Sequence, residues 1–191
     1  MGVGTFIVLG ALAVVVIYFI TIYNALVQVK HNVTKAWANI DVLLKQRHDE
    51  LPKLVETCKQ YMKFEQETLT KVMEARSKVF AAREAQNIPE LGQAEGALRA
   101  TLGHLFALAE AYPDLKTNQS FQQLQARISS LENAIADRRE FYNESVNVNN
   151  VRIEQFPDTI VAGMFNFKAA PLLEFQAGEK ADVDVKKLFT P

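Results

Sequence analysis

The first 29 residues of this 191-residue chain contain no Asp, Glu, Lys or Arg. Within them almost every side chain from position 6 to position 23 is apolar. At about 1.5 Å per residue, a helix over that run spans about 27 Å, close to the ~30 Å hydrocarbon core of a bilayer. We therefore predict a membrane anchor over residues 1–29, with its span at about residues 6–23. The aromatic side chains expected to anchor it are Phe6, Tyr18, Phe19 and Tyr23.

Basic residues are also lacking before the apolar run, which argues against a cleaved signal peptide because such a peptide begins with a positively charged region. The A-x-A sequence at Ala11–Ala13 lies inside the run, where cleavage is not expected. Lys30, Lys35 and Lys45 follow the run. Since positive flanks stay in the cytoplasm, the sequence predicts a retained single-pass anchor with the N-terminus outside and the rest of the chain in the cytoplasm.

Cysteine occurs once, at Cys58, so an internal disulfide framework is excluded and a reducing compartment is favoured. Its apolar neighbours at helical spacing, such as Leu54, Val55 and Met62, indicate a buried core residue rather than a nucleophile.

Excess charge of either sign is absent, because 21 Lys and Arg are interspersed with 22 Asp and Glu. Without a basic face to collect phosphates, nucleic acid is not expected as a partner. Catalytic motifs are absent too: no H-E-x-x-H, P-loop, G-x-S-x-G or dinucleotide glycine pattern occurs, and no Glu lies three residues before His31, His48 or His104. We expect neither an enzyme nor a bound cofactor or metal.

Glycine and proline are missing between Ala11 and Leu51, which predicts one helix running out of the membrane. Pro52 is expected to break or kink it, because the ring removes an N–H donor and disfavours helix at the preceding residue. The apolar periodicity predicts a second helix over about residues 51–84 and a third over about residues 89–111. A fourth opens at a capping box formed by Ser120 and Gln123 and is closed by Pro157.

Four amphipathic helices with short links favour an all-α fold, in which the transmembrane helix continues into a long, antiparallel four-helix bundle. The predicted domains are the anchor at 1–29, the cytoplasmic bundle at 30–156 and an apolar, irregular C-terminal tail at 157–191. The tail is too apolar to be a free chain, so it must cover its own bundle, a neighbouring subunit or the membrane surface. The anchoring residues proposed for assembly are Phe165, Phe167 and Phe175.

Polar residues interrupt the apolar stripes where the period predicts core positions. These candidates for a polar core are Glu65, Arg76, Arg138 and Asn149. Hydrogen-bonded pairs between helices would fix register more than they would add stability, because a buried ion pair often only breaks even. The alternative is that these positions drift to the solvated edge of the bundle.

Four blocks in order give the chain a resemblance to the LemA family of bacterial membrane proteins. They are YNALV at residues 23–27, AWANIDVLLKQRHDELPKLV at 36–55, LAEAYPDLKTNQSFQQLQ at 108–125 and ENAIADRREFYNESVNVNNVRIEQFP at 132–157. The residues matching the family's motif, with structural roles implied by the resemblance, are Tyr23, Asn24, Asp41, Arg47, Asp49, Pro52, Glu110, Tyr112, Pro113, Tyr142, Asn143, Asn149 and Pro157. The chain departs from the family's pattern at Lys53 and Val148.

The resemblance implies a bacterial inner-membrane protein with an outside N-terminus and a cytoplasmic helical domain, but it supplies no reaction. The leading hypothesis is a non-enzymatic membrane-anchored scaffold that forms homo-oligomers and organises or shapes the bilayer. The alternative is a membrane-tethered signalling adaptor or sensor that relays binding of a cytoplasmic protein partner.

Overall fold

A computed structural model describes residues 2–174, which form helices and turns without a β-strand among them. The helices are α1 (Val3–Tyr61), α2 (Gln66–Glu84), α3 (Ile88–Ala109), α4 (Pro113–Lys116), α5 (Gln119–Glu154) and α6 (Asp158–Met164). The predicted all-α class is confirmed. The packing divides the chain into two compact units, which we describe separately. Among the described residues, the first unit comprises residues 2–45 and 133–172, and the second comprises residues 46–132 with Leu173 and Glu174.

The N-terminal part of α1 presents apolar side chains that the described protein does not cover. Every residue from position 2 to position 18 is exposed, and Ile22 is the first that is buried. Phe6 is 64% exposed and Tyr18 is 56% exposed. By length and composition this stretch could cross a membrane, and none of its apolar window is buried. An uncovered apolar surface of this length is typical of a segment that faces lipid.

The predicted break at Pro52 is wrong, because α1 continues through Pro52 to Tyr61. The predicted second helix therefore does not begin at residue 51, and the break comes instead at residues 62–65. Met62 is fully buried at this turn, and the Glu65 N–H donates to the Met62 carbonyl at 3.1 Å. Nothing in residues 62–65 is a glycine or proline, so tertiary packing rather than a local breaker ends α1 here.

The third predicted helix corresponds to α3, which ends at Ala109, and Pro113 begins the short helix α4. Asn87 caps α3, since its side-chain oxygen accepts from the Glu90 N–H at 3.3 Å. The predicted Ser120 capping box is wrong. The side chain of Asn118 accepts from the Phe121 N–H at 3.0 Å instead, and α5 begins at Gln119, so Ser120 lies inside the helix.

The C-terminal segment is not wholly irregular as predicted, because it contains α6. Helix α5 ends at Glu154, before Pro157, and the Phe156–Pro157 peptide bond is cis. After α6, Asn166 adopts a positive φ of 55°, a backbone conformation that Asn tolerates better than most residues. The Phe167 N–H then donates back to the Ala162 carbonyl at 2.9 Å, so the chain reverses at the end of α6.

Each unit has its own apolar interior. In the first unit, Ile22 and Leu26 of α1 are buried with Val161 and Ala162 of α6. The second unit contains predicted stripe residues from several helices. Among its buried side chains are Leu51, Val55, Cys58, Leu69, Val72, Val79, Leu91, Leu98, Leu102, Leu105, Ile128 and Leu131.

Candidate functional site

The most deeply buried charged group lies in the second unit, where Arg47 of α1 contacts two carboxylates. Arg47 is 1% exposed and Glu95 of α3 is 2% exposed. One terminal nitrogen of Arg47 donates to Glu95, and the other donates to Glu132 of α5 at 2.5 Å. Three separate helices are thereby tied together through one planar guanidinium, whose fixed fork suits two carboxylate partners.

The electrostatics of this group, the Arg47 cluster, are set by competing effects. Burial alone would lower the pKa of Arg47, but the charges of Glu95 and Glu132 and their hydrogen bonds reverse that effect and raise it. Arg47 therefore stays charged. Its Nε atom is buried without a hydrogen-bond partner, so the cluster is not fully satisfied. A cluster of this kind fixes the register of helices more than it adds net stability.

A second polar contact explains why α1 passes through Pro52. A proline has no N–H, so in a helix it leaves the carbonyl four residues earlier, here that of His48, without its usual donor. Arg76 of α2 supplies the missing donor, because its Nε donates to the His48 carbonyl at 2.9 Å. Arg76, which the sequence predicts as a polar-core residue, thus replaces the backbone donor that Pro52 lacks.

The His48 ring belongs to the same contact. Its Nε2 lies 2.6 Å from an Arg76 terminal nitrogen, and since a guanidinium only donates, Nε2 accepts. The proton of the neutral ring is therefore on Nδ1, which has no partner. The ring also packs on Phe80 with its centroid 4.7 Å away. Desolvation and the nearby charge of Arg76 lower the pKa of His48. This environment favours a neutral imidazole, and the Nδ1–H of the ring has no acceptor to which it could pass a proton.

Three residues of the family motif, Glu110, Tyr112 and Pro113, stabilise turns of the second unit. The Tyr112 hydroxyl donates to Glu65 at 3.1 Å and so joins the α1–α2 turn to the start of α4. Lys116 pairs with Glu110 across α4. Pro113 occupies the first position of α4, where its missing N–H costs nothing.

In the first unit, two asparagines of α5 hold the segment that follows α6. The Asn150 side chain donates to the Ala170 carbonyl and accepts from the Ala170 N–H, both at 2.9 Å. Asn149 is buried, and its amide donates toward the Lys168 carbonyl at 3.4 Å. Tyr142 donates to the Pro171 carbonyl at 3.0 Å. The segment after α6 has no helix to satisfy its backbone N–H and carbonyl groups, and these side chains provide hydrogen-bond partners for them.

The aromatic residues after α6 pack on α1 of the same chain. Phe165 lies against Phe19 and Tyr23, with ring centroids at 6.1 and 4.8 Å. Phe167 contacts Tyr23 at 6.0 Å and lies 5.9 Å below the ammonium of Lys30. The tail was predicted to cover its own bundle, a neighbouring subunit or the membrane surface, and these two rings contact α1 at residues of the predicted anchor. Phe175 lies outside the described residues.

The four predicted polar-core residues do not pair with one another. Asn149 is buried, Glu65 and Arg76 are partly buried, and Arg138 is exposed at the solvated edge. Of the remaining motif positions, Asn24 and Asp49 are exposed, whereas Asp41, Asn143 and Pro157 are partly buried.

The sequence analysis missed the roles of Glu95 and Glu132. Glu95 lies between Leu91 and Leu98 on an apolar stripe, and that pattern could have indicated a buried carboxylate.

No arrangement of nucleophile and base links these contacts among the described residues. Burial raises the pKa of the Cys58 thiol to about 12, which leaves it protonated and unreactive. Within residues 2–174, no group of three or more His, Cys, Asp and Glu side chains is placed to hold a metal ion. What the structure does contain is a set of helices and, in the N-terminal part of α1, an apolar stretch that the described protein does not cover.

Comparison with known proteins gives a consistent result. A model of the LemA family matches residues 36–186. Protein LemA of Metamycoplasma hominis is 28% identical over 186 residues, which is 96% of this chain and 84% of that protein. Magnetosome protein MamQ 2 of Paramagnetospirillum magneticum is 27% identical over half of this chain and 35% of its own length. Magnetosome protein MamQ of Magnetospirillum gryphiswaldense is 31% identical over 39% of this chain and 28% of its own length.

Proposed function

The chain belongs to the LemA family, and from this premise we propose that it is a non-enzymatic, membrane-anchored helical scaffold that self-associates and organises membrane. In this proposal α1 crosses the inner membrane of a bacterium with its N-terminus outside, and Lys30 and Lys35 hold the following residues in the cytoplasm. The helices beyond the span form an antiparallel four-helix bundle. The relatives named as magnetosome proteins support a role in membrane organisation.

Contacts within the first unit favour the antiparallel arrangement of α1 and α5. Trp37 lies against Tyr142 with ring centroids 5.9 Å apart. Ile153 packs near Ile22 and Leu26, so higher residue numbers on α5 meet lower ones on α1. We extend that order to the other long helices by the rule that short links join antiparallel neighbours.

The observation that carries self-association is an uncovered apolar stripe on α5. Phe141 is 53% exposed, Val148 is 43% exposed and Val151 is 44% exposed. Phe141 and Val148 are one heptad apart, and Val151 follows three residues later, so all three lie on one face. We call these three residues the α5 stripe. Phe141 and Val148 line a shallow groove of about 270 Å³ together with Lys35 and Glu144.

A second copy of the chain fits the α5 stripe because the flanking charges are of both signs. In a two-fold symmetric contact each Lys35 could meet the partner's acidic side chain, and each Phe141 could cover the partner's apolar face. Water would be excluded from a contiguous apolar surface, which is the main driving force for such association.

The test is the mass of the full-length protein in mild detergent, measured by light scattering after size-exclusion chromatography. We expect a uniform assembly for the wild type and a smaller particle for the double variant Phe141→Ser, Val148→Ser. Val42→Ser is the matched control, because Val42 is 55% exposed on α1 and does not line that groove. A monomeric wild type, or an unchanged mass in the double variant, would contradict this proposal.

One observation favours the adaptor alternative. A groove of about 370 Å³ lies in the second unit beside the turn between α1 and α2, with Met62, Leu69 and Met73 among its lining residues. Lys59 and Lys63 also line it. Methionine-lined grooves adapt to varied apolar partners, and the two lysines favour an acidic one. A monomeric protein that binds one cytoplasmic partner stoichiometrically through this groove would support the adaptor.

A further inference from the structure

A small apolar surface at the end of the first unit is more than half exposed at each of its four residues. It consists of Phe156 in the turn before α6, Ile160 and Met164 on α6, and Phe165 directly after it. Their exposed fractions are 81%, 54%, 67% and 51% in that order. Ile160 and Met164 lie four residues apart and therefore share one face of α6. We call this set the α6 apolar face.

The opposite face of α6 fixes its position along α1. Val161 and Ala162 are buried against Ile22 and Leu26 of α1. Ile22 is also the first buried residue after the long exposed apolar run of α1. Helix α6 is therefore packed on α1 within about two helical turns of the point where the uncovered run ends.

The chain leaving α6 shows which way the membrane lies. From Phe165 beside Phe19, it passes to Phe167 beside Tyr23 and Lys30, and then to Pro171 beside Tyr142. This path advances along α1 away from the exposed run. Helix α6 thus lies at the membrane-facing end of the first unit, and the segment after it leads away from that end.

We propose that the α6 apolar face binds the bilayer surface, so that α6 lies in the headgroup region of the leaflet from which α1 emerges and forms a second membrane contact beside the span. The proposal rests on the membrane anchorage proposed above. A helix of this length is too short to span a bilayer, but an amphipathic segment with one apolar face can lie in the interface.

The charges around α6 favour a lipid surface. Residues 159–167 contain no acidic side chain. Asp158 is buried and paired with Arg152 at 2.6 Å, so its charge is compensated within the protein. Lys30, whose ammonium lies 5.9 Å from the centroid of the Phe167 ring, is exposed, and so is Lys168, which follows Phe167 in the chain. Cations at this level attract the anionic headgroups of a cytoplasmic leaflet, while the aromatic rings suit the interface.

A second copy of the chain is the competing occupant of the same surface. The lipid is favoured because the α6 apolar face is continuous with the uncovered run of α1 through the contact of Phe165 with Phe19. If α1 spans the bilayer, Phe19 lies in lipid, and lipid that covers Phe19 also reaches Phe165, because the two rings are in contact. The assembly surface proposed above, the α5 stripe, is a different face.

The experiment places a fluorescent label on single cysteines in the full-length protein. The protein is reconstituted in nanodiscs of phosphatidylethanolamine and phosphatidylglycerol, and quenching is measured with lipids that carry a nitroxide near the headgroup. The labelled variants are Met164→Cys on the α6 apolar face, Val42→Cys as the exposed control on α1, and Tyr18→Cys within the span. Cys58 remains in place, because its burial and raised pKa protect it, and the unsubstituted protein measures any residual labelling.

We expect the label at position 164 to be quenched severalfold more strongly than the label at position 42, with the label at position 18 quenched as well. A label at position 164 that stays open to aqueous quenchers, while position 18 is quenched by lipid, would overturn the lipid contact and leave the anchor intact. Protection from both kinds of quencher would assign the face to a second copy and equally overturn the proposal. Loss of lipid quenching at position 18 would overturn the anchorage itself. Ile160→Cys repeats the measurement if the label at position 164 disturbs the fold.

Discussion

The contact between Arg76 and the His48 carbonyl predicts an energetic coupling to Pro52. The perturbation is Arg76→Leu, which removes the 2.9 Å donation to a carbonyl that Pro52 leaves without a helix partner. A hydrogen bond to a charged group contributes about 1.5–3 kcal/mol, and an orphaned buried acceptor costs about 1–3 kcal/mol. Because Arg76 is only partly buried and water could reach part of the gap, we expect the variant to lose about 2 kcal/mol of unfolding free energy.

A double-mutant cycle isolates this mechanism. Pro52→Ala restores the N–H that can satisfy His48, so Arg76→Leu should cost less in that background, with a coupling of about 1 kcal/mol or more. Unfolding is followed by circular dichroism during urea titration of the full-length protein in detergent. Arg127→Leu is the control, since Arg127 is exposed on α5 and its replacement should change stability by less than about 0.5 kcal/mol. Equal costs of Arg76→Leu in the two backgrounds would refute the reasoning.

Four further predictions follow from single contacts. Arg47→Leu should lower the free energy of unfolding, measured by urea titration, by about 3–5 kcal/mol, because its two carboxylate partners lose their cation. The pKa of His48 is lowered in the folded protein, so the neutral ring's contribution to stability is complete above pH 6.5, the ordinary pKa of histidine, and is lost as pH falls below that value. The melting temperature should therefore decrease as pH falls below 6.5, and it should decrease less in His48→Gln. Cys58 should resist thiol reagents at pH 8 until the protein unfolds, and rapid labelling of folded protein would contradict its raised pKa. Gly92→Ala should expose the segment around Glu174 to proteases while leaving helix content nearly unchanged, because the added methyl carbon would lie 2.0 Å from the Glu174 carbonyl oxygen.

Much of the helical pattern was accessible from the sequence because apolar periodicity reflects burial directly. The absence of glycine and proline between Ala11 and Leu51 correctly predicted an uninterrupted first helix. The failure at Pro52 has a physical cause, since the donor that rescues the helix lies 24 residues later, on Arg76, and no local pattern encodes that contact. In the same way, the turn at Met62–Glu65 depends on burial and on Tyr112 rather than on a breaker.

The polar contacts were harder to predict than the helices. Asn149 was placed among buried positions because it interrupts an apolar stripe, and it is buried. Its amide, however, donates to the neighbouring Asn150 side chain at 3.1 Å and toward the backbone of the segment after α6 at 3.4 Å, and not to a side chain of another helix. The Arg47 cluster needed the spatial meeting of three helices, and its members are separated by 48 and 85 positions along the chain. Single-sequence periodicity ranks positions by burial but does not identify which distant groups meet.

Copy number in the membrane tests the central claim, self-association of an anchored scaffold, most directly. The full-length protein carrying one fluorophore at its C-terminus would be extracted from bacterial membranes in native nanodiscs and counted by stepwise photobleaching of single particles. The account predicts particles with two or more bleaching steps for the wild type and a shift toward single steps for Phe141→Ser, Val148→Ser, with Val42→Ser unchanged. Single-step particles of the wild type at every expression level would contradict it.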